Sequence, residues 1–182
     1  MRFHHLGLTG LVLVLASMTM TLFKVTPAAA ERMSSQNVVA ISGRVTGNVQ
    51  KVGFRAMIQK EAIQYNLAGT AENKNDGSVA FVLQGSQDRI DQALEAIRQG
   101  TKKSSDVKVD VSSATVNADM DTFTVFRWTS VSRHITHPYD LVFNRRSDDK
   151  IVSKHEAKSV WLEICEKTVR GDDVGKCDKD DQ

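Results

Sequence analysis

The sequence has little net charge. Its 182 residues include 24 Lys and Arg against 22 Asp and Glu, a formal charge of +2. Arg2 and Lys24 account for this excess, because subtracting them leaves 24 − 2 = 22 basic against 22 acidic residues. Nucleic-acid binding usually needs a basic surface with aromatic side chains on a strand face. A formally neutral remainder without such a face weighs against a nucleic acid as the partner.

Acidic residues are missing altogether from the first thirty positions. Arg2 gives the segment a basic start, residues 6–23 are uncharged and largely apolar, and three alanines follow at 28–30. This order is typical of a secretory signal peptide cleaved before Glu31. A retained membrane anchor of about 20 residues is the alternative, but the alanine triplet favours cleavage. We expect residues 1–30 to direct export, most simply to a bacterial periplasm, with membrane contact only if they are retained.

Cysteine occurs only twice, at Cys165 and Cys177. Two nearby thiols in an exported protein most often pair, and a loop this short would contribute about 3 kcal/mol. A metal pair or a reactive thiol is the alternative, but no nearby Cys or His completes a recognised metal spacing. His134 and His137 are not tied to a predicted helix, so we expect surface histidines. The sequence therefore predicts a disulfide and no metal site.

Hydrophobic periodicity and turn residues divide residues 36–133 into alternating strands and helices. Asp76-Gly77 between two strand-like runs is a strong hairpin signal. The order β-α-β-β-α-β, with an extra terminal strand, predicts an α+β, ferredoxin-like sandwich in which two helices cover one face of an antiparallel sheet and strands one and two lie close together. Strands are expected at 38–45, 70–74, 78–84, 107–111 and 123–128, and helices from Phe54 and from Ser86.

Residues 134–182 form a C-terminal extension in this interpretation. Ser153-x-x-Glu156 is a capping box, and apolar residues recur at helical spacing from Val160 to Thr168. One helix is therefore expected, followed by an acidic, solvated tail. The helix would pack on the domain or supply a surface for a protein partner.

The stretch Val45–Arg55 contains no Asp, Glu or His. It leaves a strand, turns at Gly47 and Gly53, and enters a helix at Phe54. Such a turn directs several backbone N–H groups into one hollow beside the positive end of a helix dipole. Arg55 lies in the first helical turn, where a cation is unfavourable without an anion, and its guanidinium suits two oxygens of a phosphate or carboxylate. An oxyanion site is predicted, against the alternative of an ordinary solvated arginine.

Two motifs of the chain combine glycines and polar residues at defined spacing. The first is Val45-x-Gly47-Asn48-Val49-Gln50-Lys51-Val52-Gly53-Phe54-Arg55. The second is Gly69-Thr70-Ala71-Glu72-Asn73, followed by Gly77-x-Val79 and Gly85. Together they resemble the two signatures of the acylphosphatase family, including the spacing between them, and the resemblance extends from about Val38 to Arg133.

The resemblance implies a hydrolase that cleaves the carboxyl–phosphate bond of small acyl phosphates with water, without a metal or other cofactor. It implies that Arg55 holds the phosphoryl oxygens and that Asn73 orients the attacking water. Positioning and charge stabilisation can suffice because an acyl phosphate has a good leaving group. The implied phosphate-binding loop, called the cradle below, comprises Gln50, Lys51, Val52, Gly53 and Phe54.

Lys51 stands where the family pattern has glycine. If the backbone there needs a positive φ, its Cβ costs on the order of 1 kcal/mol, and its ammonium could strengthen anion binding or block entry. Side-chain alternation should turn Glu72 to the opposite face from Asn73. The alternative to an enzyme is a non-catalytic, exported anion- or protein-binding module, because a fold does not fix an activity.

Overall fold

A six-stranded sheet and three main helices make up the part of the chain that the computed structural model describes, residues 37–173 and 175–177. The predicted signal peptide lies outside these residues. The strands are β1 (Val38–Asn48), β2 (Ala68–Asn73), β3 (Val79–Ser86), β4 (Ser105–Ala114), β5 (Thr122–Ser130) and β6 (Ile135–Asn144). The helices are α1 (Phe54–Tyr65), α2 (Gln87–Gln99) and α3 (Lys154–Thr168), followed by a 3-10 turn at Gly171–Asp173.

The sheet has the order β4-β1-β3-β2-β5-β6 and is mixed. The expectation of a wholly antiparallel sheet was wrong for one pair, because β2 and β5 run parallel. The chain leaves β4 at one edge and crosses the end of the sheet in residues 115–121 before it enters β5. This connection is held by Gln84, whose amide donates to the Asn117 carbonyl at 2.8 Å. The crossing reverses the chain relative to β4, which gives β5 the direction of β2.

Strands β1 and β2 are not neighbours, because β3 lies between them. Both pair antiparallel with β3 and therefore run in the same direction. Their carboxyl ends consequently lie at the same end of the sheet. This topology, rather than direct pairing, brings the cradle after β1 and Asn73 at the end of β2 to one region.

Helix α1 is buried on more than one side. Its apolar residues Phe54, Ile58 and Ala62 are buried, and the helix contacts both α2 and α3 as well as the sheet. Gln59 is also fully buried and donates through Nε2 to the Leu141 carbonyl of β6 at 2.7 Å. The polar side of α1 is therefore covered by the C-terminal extension.

Strand β6 was not predicted from the sequence. It pairs antiparallel with β5 and forms one edge of the sheet. Leu141 and Phe143 alternate into the core, whereas Pro138 is exposed. An edge strand tolerates proline because one row of its N–H groups needs no ladder partner.

The predicted helix and disulfide of the extension are both present. The hydroxyl of Ser153 accepts a hydrogen bond from the Glu156 N–H at 3.1 Å, as the capping box requires. Cys165 and Cys177 form a disulfide with their Cα atoms 5.9 Å apart. None of the helices within residues 37–173 is long and apolar enough to cross a membrane.

Candidate active site

The cradle forms a turn that leads into the start of α1. Gly53 is the N-cap of α1, with φ 76°. After this turn, the first N–H group that donates to a backbone acceptor is that of Met57, whose partner is the Gly53 carbonyl at 3.0 Å. Among the described residues, no acceptor takes the N–H groups of residues 50–55. Together with the positive end of the α1 dipole, these donors form a site for an oxyanion.

Lys51 adopts the left-handed backbone that the glycine of the family pattern suggested. Its φ is +62°, which costs a residue with a Cβ on the order of 1 kcal/mol. The side chain is exposed and lies at the rim of the cavity below the cradle. The loop therefore has a positive φ with lysine at this position, and the ammonium adds a positive charge to the rim.

Two side chains fix the cradle to neighbouring elements. Gln50 donates through Nε2 to the carbonyls of Lys74 and Ser78, both at 2.8 Å, which ties the loop to the β2–β3 turn. The Thr101 hydroxyl donates to the Val52 carbonyl at 3.1 Å. The Gln50 side chain thus holds the loop in place rather than lining the cavity. Thr101 was missed because nothing in the sequence relates it to a loop 49 residues earlier.

Arg55 lies beneath the cradle and is anchored at one end. Only 8 % of it is exposed, and its Nη1 donates to the carbonyls of Phe126 at 2.6 Å and Arg127 at 3.1 Å. These carbonyls belong to an irregularity in β5, where Arg127 has φ +49°. Its Nε and Nη2 groups have no hydrogen-bond partner within the described chain. Two adjacent donor groups on a fixed guanidinium match two oxygens of a phosphoryl group.

Burial lowers the pKa of Arg55 from its ordinary value, and the negative charge of Glu72 acts in the opposite direction. An arginine keeps its proton in proteins even so. Glu72 itself pairs with Lys74, at 2.5 Å between Oε2 and Nζ. The negative charge of Glu72 therefore stabilises the protonated form of Arg55 through space.

Asn73 ends β2 opposite Val79 and lines the same cavity as Arg55. Its Oδ1 atom is buried and has no hydrogen-bond partner among residues 37–173 and 175–177. Buried polar atoms are almost always satisfied by protein or by water. The geometry is therefore suited to holding a water molecule beside whatever Arg55 binds.

The cavity below the cradle has a volume of about 390 Å³ and continues past Arg55 along α1. Its far wall is formed by the end of β5 and the β5–β6 turn, residues 128–133. Among the residues that the structure describes, one carboxylate, Glu61, lines it. The basic residues that line it are Lys51, Arg55, Lys60, Lys102, Lys103 and Arg133. This excess of positive charge favours an anionic ligand.

Metal ligands do not cluster in the described part of the chain: no three His, Cys, Asp or Glu side chains there are placed to share an ion. His134 lies in the β5–β6 turn with φ +55°. The His137 ring packs edge-on against Tyr139, with centroids 4.9 Å apart.

Comparison with known proteins identifies the family. A family model described as Acylphosphatase matches residues 41–125. An acylphosphatase of Methanocella arvoryzae is 43% identical over 72 residues, which are 38% of this chain and 82% of the relative. The chain belongs to the acylphosphatase family. An acylphosphatase of Bacillus licheniformis is 41% identical over 68 residues, covering 36% of this chain and 76% of the relative.

Among solved structures, the acylphosphatase of Bacillus subtilis is 30% identical, with a TM-score of 0.44, and the match covers 47% of this chain and 94% of that one. The acylphosphatase family model ends at residue 125. The carbonyls that hold Arg55, the β5–β6 turn, β6 and α3 all follow this position. The family match therefore contains the cradle and Asn73, whereas the far wall of the cavity is built by the rest of the chain.

Proposed function

We propose that this protein is an acylphosphatase that hydrolyses acyl phosphates to a carboxylate and phosphate, on a ferredoxin-like scaffold with its helices on one face of the sheet. The main support is the joint position of Arg55 and Asn73. Nε and Nη2 of Arg55 and Oδ1 of Asn73 have no hydrogen-bond partner in the described part of the chain, and both residues line one cavity below the N–H groups of the cradle.

In the proposed mechanism, the phosphoryl oxygens bind to the cradle N–H groups and to Nε and Nη2 of Arg55. Asn73 accepts a hydrogen bond from a water molecule and aims its oxygen at phosphorus. Attack forms a new P–O bond and breaks the bond between phosphorus and the carboxyl oxygen, which leaves as a carboxylate with the bonding electron pair. The water protons end on phosphate. Because the carboxylate is a good leaving group, fixed charge and orientation supply most of the catalysis.

The proposal includes export of the protein. The order of residues 1–30 supports a signal peptide, and the Cys165–Cys177 disulfide is the kind of bond that persists in an oxidising compartment. The test is cell fractionation of the full chain, with mass analysis of the N-terminus. A mature protein that begins at Glu31 is expected outside the cytoplasm.

The activity is tested with a synthetic acyl phosphate such as benzoyl phosphate. Arg55→Gln and Asn73→Ala are each expected to lower kcat by about 10²- to 10³-fold, with unchanged circular dichroism. Arg98→Gln and Asn144→Ala are matched controls, because both residues are exposed and lie outside the cavity. A folded wild type without turnover would favour the non-catalytic anion- or protein-binding module, which no comparison supports better than the enzyme.

A further inference from the structure

The cavity has a second part beyond the cradle, which we call the distal lobe. It lies between α1 and the β5–β6 turn and is lined by Met57, Lys60, Glu61, Trp128 and Arg133. Gly53, Met57 and Lys60 are spaced so that they follow one side of the helix from the cradle outward. Because the lobe is continuous with the region of Arg55 and Asn73, the non-phosphoryl part of a bound substrate would extend into it.

Glu61 is the unusual residue of this lobe. Only 8 % of it is exposed, and its Oε2 is fully buried without a hydrogen-bond partner in the described chain. Burial raises the pKa of this carboxyl, and the positive charge of Lys154 at the start of α3 opposes the rise. A buried carboxyl without a donor is costly and uncommon. A ligand that brings a polar hydrogen would remove this cost.

The basic groups of the lobe have other contacts. The Nζ atom of Lys60 lies 4.7 Å from the centre of the Trp161 ring, and the guanidinium of Arg133 lies 5.4 Å from it. The Nε of Arg133 also donates to the Cys177 carbonyl at 3.2 Å. These contacts give the two cations structural roles, whereas the described residues offer the buried Oε2 of Glu61 no hydrogen-bond donor.

The remaining walls of the lobe are suited to a short carbon chain. Met57 and the buried Trp128 present apolar surface. The eight steps from Gly53 to Glu61 correspond to a rise of about 12 Å along α1. An acyl chain of several carbons bridges this length when its phosphate lies in the cradle. Apolar walls with one well-placed polar group are typical of small-molecule sites.

We propose that the distal lobe binds the acyl chain of the substrate and that Glu61 accepts a hydrogen bond from an amino or hydroxyl group near the far end of that chain. This inference rests on the proposed acylphosphatase function and deepens it, because it names the substrate class. The bonds made and broken in hydrolysis are unchanged. Selectivity arises because a chain without a donor leaves the buried carboxyl unpaired.

The test compares hexanoyl phosphate with its 6-amino and 6-hydroxy derivatives, using the full chain. At least one derivative is expected to have a kcat/KM at least about tenfold above that of hexanoyl phosphate. Glu61→Ala should reduce this ratio to about one. Glu61→Gln distinguishes the 6-amino from the 6-hydroxy derivative. Its neutral amide should lose the preference for the ammonium group but should still accept a hydrogen bond from the hydroxyl group. The control Glu166→Gln makes the same exchange at an exposed residue outside the cavity.

Equal kcat/KM values for the three substrates, or a preference that survives Glu61→Ala, would overturn the inference. If no substrate is turned over, the proposed function fails, and the lobe is then tested by binding of the product acids. The indole signals of Trp128 and Trp161 in NMR spectra would report titration with hexanoate, 6-aminohexanoate and 6-hydroxyhexanoate. Affinity for a donor-bearing acid at least about tenfold above that for hexanoate, lost in Glu61→Ala, would support the lobe; equal affinities would reject it.

Discussion

Arg55 and Phe126 are joined through a short hydrogen bond of 2.6 Å between Nη1 of the arginine and the carbonyl oxygen of the phenylalanine. The bond links the first turn of α1 to an irregularity in β5. It fixes the guanidinium plane and leaves Nε and Nη2 for a ligand. The position of the proposed phosphate-binding group thus depends on a strand irregularity that lies 71 residues further along the chain.

The first prediction concerns Asp140, which holds this irregularity from β6. Its Oδ1 accepts a hydrogen bond from the Arg127 N–H at 2.7 Å. Asp140→Ala is expected to lower kcat/KM about 3- to 10-fold, because small displacements of a positioning group are costly in catalysis. Steady-state kinetics measures the effect. Asp110→Ala, at an exposed position of β4, should leave the rate unchanged; equal rates for both variants would show that β5 keeps its shape without Asp140.

The second prediction concerns the left-handed backbone of Lys51. Lys51→Gly and Lys51→Ala both remove the ammonium, but only glycine removes the Cβ. The glycine variant is therefore expected to be more stable than the alanine variant by about 0.5–1 kcal/mol. Urea unfolding measures the difference. An alanine variant of equal or greater stability would contradict a positive φ at this position.

The same two variants also test the charge of Lys51. If its ammonium attracts the substrate, both variants should have a lower kcat/KM at low ionic strength, and the difference from wild type should shrink as salt is added. A higher kcat/KM in both variants would mean that the side chain obstructs entry.

The third prediction concerns Thr101, which binds the cradle through the Val52 carbonyl. Thr101→Val keeps the shape of the side chain but removes the hydroxyl, so kcat/KM is expected to fall about 3- to 10-fold, because the cradle N–H groups lose part of their alignment. Thr101→Ser keeps the hydroxyl and serves as the matched control. Steady-state measurement of kcat/KM for both variants tests this expectation. A serine variant as impaired as the valine variant would show that the methyl group, rather than the hydrogen bond, holds the loop.

The sequence was most informative where function and local structure depend on the same residues. The turn ending at Gly53 and the start of α1 at Phe54 followed from glycine placement and hydrophobic spacing, and the structure has both. The family glycine that Lys51 replaces raised the question of a positive φ at this position, and the structure has one. Backbone conformations of this kind can be predicted from the residue types, because few residues tolerate them.

The sequence was least informative where backbone groups hold a site residue or where an element distant in the chain buries it. The carbonyls of Phe126 and Arg127 hold Arg55 whatever their side chains are, so no residue type signals them. Strand β6 was missed because Pro138 and exposed polar residues interrupt its pattern, which only an edge position permits. The burial of Glu61 depends on the packing of the extension, which helical periodicity within α1 cannot reveal.

The fourth prediction concerns the pH dependence of stability at Glu61. Burial raises the pKa of its carboxyl in the folded state, and Lys154 opposes this effect. The folded state therefore favours the protonated form, relative to an unfolded-state value of about 4.3. The resulting contribution to stability is fully present below that value and is lost as the pH rises through the higher folded-state pKa.

Glu61→Gln removes this titration. Relative to wild type, its free energy of unfolding should rise with pH, from little difference near pH 4 to a gain on the order of 1 kcal/mol at neutral pH, where the wild type carries a buried carboxylate. Thermal unfolding of both proteins between about pH 4 and 8 measures the difference. Glu166→Gln, at an exposed position of α3, should show a flat profile. A flat profile for Glu61→Gln as well would mean that the carboxyl of Glu61 is solvated in the folded protein, so that the distal lobe contains no unpaired acceptor for a substrate to satisfy.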